Sequence, residues 1–106
     1  MPGLTTPLER ITHPPVAALD LATIMRTVGD PVRLAIVRLL ADGQTHACGE
    51  ISSALDLPAS TASYHMRLLR ETGVTHTRAE GTLRLISLRI EDLEHRFPGL
   101  VALLTR

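Results

Sequence analysis

Two sets of side chains in this sequence are of types that do chemistry. Ser60, Ser63 and His65 fall within six positions, and hydroxyl with imidazole is the pairing used in nucleophilic catalysis. No third residue to orient the base is evident, and the three share one helical stretch that must also supply core residues. Neither a glycine-rich phosphate loop nor a zinc-hydrolase pattern occurs, so catalysis is set aside. The same stretch supports other chemistry once its arginine is included. On a helical wheel Ser60, Tyr64, Arg67 and Glu71 point away from Ala62, Met66 and Leu69, with Thr61 and Ser63 flanking them. Small hydroxyls let a helix approach a surface closely, and a guanidinium donates two parallel hydrogen bonds to phosphate or guanine. Arg78 and Arg84 follow in a β-rich stretch and suit phosphate contact. A Ser/Thr-rich helix start also serves as a cap, and Tyr64 suits half-buried packing as well as base contact. His65 falls nearer the buried face and reads as a satisfied, partly covered histidine.

One domain can supply the scaffold for these residues. The chain has 106 residues, enough for a modest core without disulfides or structural metals. Cys48 is the single cysteine, which excludes an internal disulfide and a cysteine-only zinc site and agrees with a reducing compartment. No apolar run approaches the roughly 18 residues of a membrane span. Residues 1–7 lack the charged start and apolar centre of a signal peptide. A soluble, cytoplasmic protein with no membrane partner is expected.

Four of the seven prolines, Pro2, Pro7, Pro14 and Pro15, lie in the first 15 residues. Residues 1–15 therefore read as a mobile arm and 16–106 as the folded domain. Val16–Val28 carries a helical apolar stripe. Asp30 is placed to cap a second helix over 31–41, with Pro31 in its first turn and Gly43 at its end. Glu50–Leu55 reads as a short helix, Asp56-Leu57-Pro58 breaks it, and a further helix follows at about 59–72, ended by Gly73. Val74–Arg78 and Thr82–Leu88 read as a β-hairpin turning at Ala79-Glu80-Gly81. Glu91–Phe97 and Pro98–Leu104 form a last helical region that Pro98 kinks or divides. The fold class is mainly α with a small β-hairpin: a winged helix-turn-helix of about five helices and a two-stranded wing.

Eleven basic residues, all arginine, balance eleven acidic ones. Zero net charge argues against a uniformly basic coat but permits a basic patch. Residues 57–89 hold five arginines against two glutamates, a net charge of +3, whereas 41–56 hold three acidic residues and no arginine.

Three stretches resemble the ArsR/SmtB family of small bacterial transcriptional repressors. Gly29-Asp30-Pro31-Val32-Arg33-Leu34 and the residues to Leu40 are similar to the family's Asp-Pro-x-Arg-Leu start of its second helix. Ser60-Thr61-Ala62-Ser63-Tyr64-His65-Met66-Arg67-Leu68-Leu69 resembles its recognition helix, and Thr77-Arg78-Ala79-Glu80-Gly81 with the following strand resembles its wing. The resemblance spans roughly residues 20–89. It implies a homodimer built on the first and last helices that binds a twofold-symmetric, double-stranded DNA operator. Ser60, Thr61, Ser63, Tyr64 and Arg67 would meet the major groove, with Arg78 and Arg84 at the wing.

The family that the chain resembles divides into metal sensors, redox or sulfide sensors, and members with no known effector, so a regulatory transition metal is one of three expectations. His46-Ala47-Cys48 stands where one metal-sensing site of the family has Cys-x-Cys. Imidazole and thiolate suit nickel, zinc or cobalt, and two such ligands need others, such as His13. Asp92 and His95 stand on the last helix, where a second family site pairs carboxylate and histidine. Acidic residues at that helix start also complement its dipole. The resemblance thus implies a homodimeric repressor whose operator binding an effector modulates. The alternative is a winged-helix interaction module that needs a partner protein to bind DNA or sense its effector.

Overall fold

The computed structural model describes residues 11–106; residues 1–10, where the expected arm begins, lie outside the described residues. Val16–Val28 is not one helix. Val16–Ala18 forms a single 3-10 turn, the chain extends through Leu19 and Asp20, and α1 (Leu21–Val28) starts where Asp20 Oδ2 accepts the Thr23 amide at 3.0 Å. An aspartate that satisfies a free amide at a helix start competes with continuing the helix through it. The same chemistry opens α2 (Pro31–Leu39): Asp30 Oδ2 accepts the amides of Val32 and Arg33, and Pro31 takes a position that needs no donor. A 3-10 turn at Leu40–Asp42 follows and ends on left-handed Gly43. Helix α2 is central, with Ile36 and Val37 fully buried against Ile24, Leu40, Leu69 and Leu93 in one core.

The helix-turn-helix pairs α3 (Cys48–Ala54) with α4 (Ala59–Glu71). Its turn is a Schellman cap: Asp56 takes φ 52, the Leu57 amide donates to Ser52 O at 2.9 Å and the Asp56 amide to Ser53 O at 3.2 Å. The short side chain of Asp56 tolerates the left-handed region that glycine usually fills.

Three antiparallel strands complete the domain: β1 (His46–Ala47), β2 (Thr75–Glu80) and β3 (Leu83–Leu88), in the order β1-β3-β2. Strand β1 was not expected. Two residues leave no periodicity to read, and only their pairing with Leu85 and Ile86 makes them a strand. The hairpin turns at Gly81-Thr82 rather than at Ala79-Glu80-Gly81, because Glu80 pairs with Leu83. Gly81 takes φ 60, the positive value a two-residue hairpin loop demands at its first position. The last helical region is divided: α5 (Ile90–Arg96) and α6 (Leu100–Leu104) flank Phe97-Pro98-Gly99. Among the described residues the result is a winged helix-turn-helix with six α-helices and a third strand.

The described part of the expected mobile arm is tied down. Arg89 Nη1 donates to Pro14 O at 2.9 Å and the Thr77 amide donates to His13 Nε2 at 2.9 Å; just past the arm, Arg96 Nη1 donates to Val16 O at 2.7 Å. Partners 64 to 80 positions away override the local preference of a proline-rich segment for irregular chain.

Candidate nucleic-acid interface

Helix α4 buries Ala62, Met66 and Leu69 and leaves Ser60, Ser63, Tyr64 and Arg67 exposed, with Thr61 half-buried. Its N-cap is Pro58, with no side-chain hydrogen bond, so the hydroxyls near its start are not used as the cap. The Arg67 guanidinium lies 5.7 Å from the Tyr64 ring centre, and its Nε is 4.0 Å from exposed Glu71. Both contacts are loose enough to yield to a polyanion. His65 is half-buried and has a partner, as its place on the wheel suggests. Arg33 Nη1 lies 3.1 Å from His65 Nδ1, while Arg33 Nε donates to Thr27 O at 2.6 Å. Guanidinium only donates, so Nδ1 accepts and the neutral ring carries its proton on Nε2. Arg33 thereby joins the end of α1, the start of α2 and α4.

Between α4 and the wing lies a cleft of about 350 Å³ that brings together Ser60, Ser63, Tyr64, Arg67 and Arg84. Strand alternation separates the two wing arginines. Ala79 pairs with Arg84 and Thr77 with Ile86, whereas Arg78 pairs with Leu85. Successive side chains point to opposite faces, so Arg84 shares the cleft face with Thr77 and Ile86 and Arg78 projects from the other. Arg78 Nη1 is held by Glu80 at 2.6 Å. Thr61 and Arg78 do not line the cleft. Besides the core residues Met66 and Ile86, three lining residues were not singled out for this role: Cys48, Arg70 and Thr77. Arg70 follows Arg67 by three positions, a helical spacing legible in the sequence. Thr77 could be found only from the strand register.

The residues named for a metal are dispersed by the fold. His46 is clasped by carboxylates: its Nε2 lies 2.8 Å from Asp42 Oδ2 and its Nδ1 3.4 Å from Glu50 Oε2. The Asp42 hydrogen bond, helped by Glu50, holds the imidazole above its ordinary pKa despite partial burial. Asp42 is held low chiefly by the Gln44 amide and Glu50 by the Ala47 amide, each with help from His46. Both His46 nitrogens face hydrogen-bond acceptors, which favours a proton over a metal on that ring. Cys48 lines the cleft instead. His13 is bound to the Thr77 amide and stacked on His76. Asp92 pairs with Arg89 at 2.9 Å, and His95 is exposed. Among the described residues, no group of three or more His, Cys, Asp or Glu side chains is arranged to hold a metal ion.

Residues 28–78 match a helix-turn-helix domain family. The uncharacterized HTH-type transcriptional regulator YceK of Bacillus subtilis is 38% identical over 79 residues, covering 74% of this chain and 79% of that protein. The arsenical resistance operon repressor of Staphylococcus xylosus is 32% identical over 76 residues, 72% of each chain. Among solved structures, the chain is similar to the homodimeric winged helix-turn-helix DNA-binding domain of a possible ArsR-family regulator from Mycobacterium bovis. That likeness has 28% identity and a TM-score of 0.67 over 79% of this chain and 76% of the other. No described helix is long and apolar enough to cross a membrane.

Proposed function

Since the chain belongs to the ArsR/SmtB family of winged helix-turn-helix transcriptional regulators, we propose that it represses transcription as a homodimer clamped on a twofold-symmetric operator. In each protomer Ser60, Ser63, Tyr64 and Arg67 enter the major groove, and Arg84 engages the adjoining backbone from the wing. The observation that carries this reading is the cleft in which the exposed face of α4 and the Arg84 face of the wing meet. Dimerisation is supported by large apolar side chains left exposed on the first and last helices, Leu21 and Met25 on α1 and Leu103 on α6. Homodimeric assembly is also what the Mycobacterium bovis relative is described as having.

The test is fluorescence anisotropy on a duplex from the region upstream of the protein's own gene. Arg67→Ala weakens binding by about 1–3 kcal/mol if Arg67 reads a base, and relaxes preference at that base. An equal loss on every sequence makes it a phosphate clamp. Affinity falls steeply with salt, as phosphate contacts require. A wild-type chain that leaves anisotropy unchanged at low salt defeats the proposal. Leu103→Glu shifts the sedimentation profile toward monomer.

A further inference from the structure

We propose that the segment His13–Leu19 is a strap that sets the wing against the recognition helix, with His13 as its positioning residue for DNA binding. The proposal rests on the DNA-binding reading above. Strand β2 is an edge of the sheet, so alternate amides of β2 point away from β3 and need acceptors. Thr77 is one of them, and it is buried. Its amide is satisfied by His13 Nε2, from 64 residues away in sequence. The His13 ring also lies flat on His76, with centroids 4.5 Å apart and planes within 10°. Each end of α5 then holds one strap carbonyl, Arg89 on Pro14 and Arg96 on Val16.

The strap also covers the joint between helix and wing. Gly73 links α4 to β2 in the left-handed conformation, at φ 86. A Cβ at that position would lie 2.0 Å from Leu19 Cδ2 and 3.1 Å from Pro14 Cγ. Leu19 and Pro14 therefore occupy the space that any larger residue at the joint would need. Thr77 connects this packing to function, because its side chain faces the cleft lined by Arg67 and Arg84 while its amide is held by the strap. The base of the wing stays in the core through Val74, Ile86 and Leu88, so releasing His13 loosens the edge strand beyond them and lets the outer wing carry Arg84 away from α4.

The experiment compares His13→Ala and His13→Gln in the full chain. In free protein, hydrogen exchange at the Thr77 amide speeds up by about tenfold or more in His13→Ala. Binding to the upstream duplex weakens by about fivefold, the order of one lost hydrogen bond. His13→Gln restores most of both, since its Oε1 reaches to where Nε2 sits and accepts the same amide. In an Arg84→Ala background, His13→Ala costs little further affinity, because the contact it positions is already gone. Unchanged Thr77 exchange in His13→Ala overturns the strap. Faster exchange with undiminished DNA affinity, or an equal loss with and without Arg84, overturns the positioning role. If the wild-type chain binds no DNA, the positioning role falls with the DNA-binding reading, while Thr77 exchange separately decides whether the strap holds.

Discussion

The two edge strands of the three-stranded sheet each engage a histidine, in opposite electrostatic settings. On the β1 edge, His46 is local: its partners Asp42 and Glu50 are each four positions away, and both are acidic. On the β2 edge, His13 is distant in sequence from everything it touches. Burial pushes its pKa below the ordinary value, and His76, Arg89 and Arg70 add to the effect. The carboxylates of the first edge favour the imidazolium. The second edge needs the neutral ring, because Nε2 must accept the Thr77 amide. One residue type thus serves as a cationic clasp at one edge and as a neutral acceptor at the other. The difference lies in which charges the fold brings alongside.

The contrast breaks most visibly at the β2 edge, where packing adds to polarity. Leu19→Ala removes a buried side chain from beneath the strap and should cost about 2–4 kcal/mol in urea unfolding; a near-zero loss would mean that the segment is not seated there. Arg89→Met leaves Pro14 O and Asp92 without their shared donor and should cost about 1–2 kcal/mol in the same assay.

Smaller effects appear in the pH dependence of the melting temperature, followed from about pH 5 to pH 8. The folded pKa of His46 is raised, so its contribution is full below about 6.5 and fades as pH rises through the folded value. The folded pKa of His13 is lowered, so its contribution is full above about 6.5 and is lost as pH falls through the folded value. His46→Gln should flatten the alkaline side of the profile and His13→Gln the acidic side. The opposition of the two edges fails if both variants flatten the same side. The smallest expected effect is that of Asp42→Asn, which should let the His46 titration seen by NMR move down toward its ordinary value while stability barely changes.

Much of the domain was legible because its signals are local. Asp30-Pro31 opens α2, Gly73 ends α4, and the spacing of Ala62, Met66 and Leu69 turns Ser60, Ser63, Tyr64 and Arg67 outward. His65 was placed correctly as a satisfied histidine, but its partner Arg33 lies 32 positions away and has no local signature. Asp20 is of a type that caps helices, but the apolar stripe of Val16–Val28 runs past it, so the break before α1 was not expected. At the wing, residue composition located the hairpin but not its register, and the register put Arg78 and Arg84 on opposite faces.

The helix-turn-helix, the exposed face of α4 and the segregation of positive charge could all be read from the chain alone, because caps, turns and helical periodicity act over a few residues. It took the closed fold to bring His13 to the wing edge, Arg33 to His65 and Arg96 to the carbonyl of Val16. Those outcomes depend on which side chains meet across 30 to 80 positions once the core around Ile36 and Leu69 has closed. A histidine's type does not say whether it will meet a carboxylate or a backbone amide.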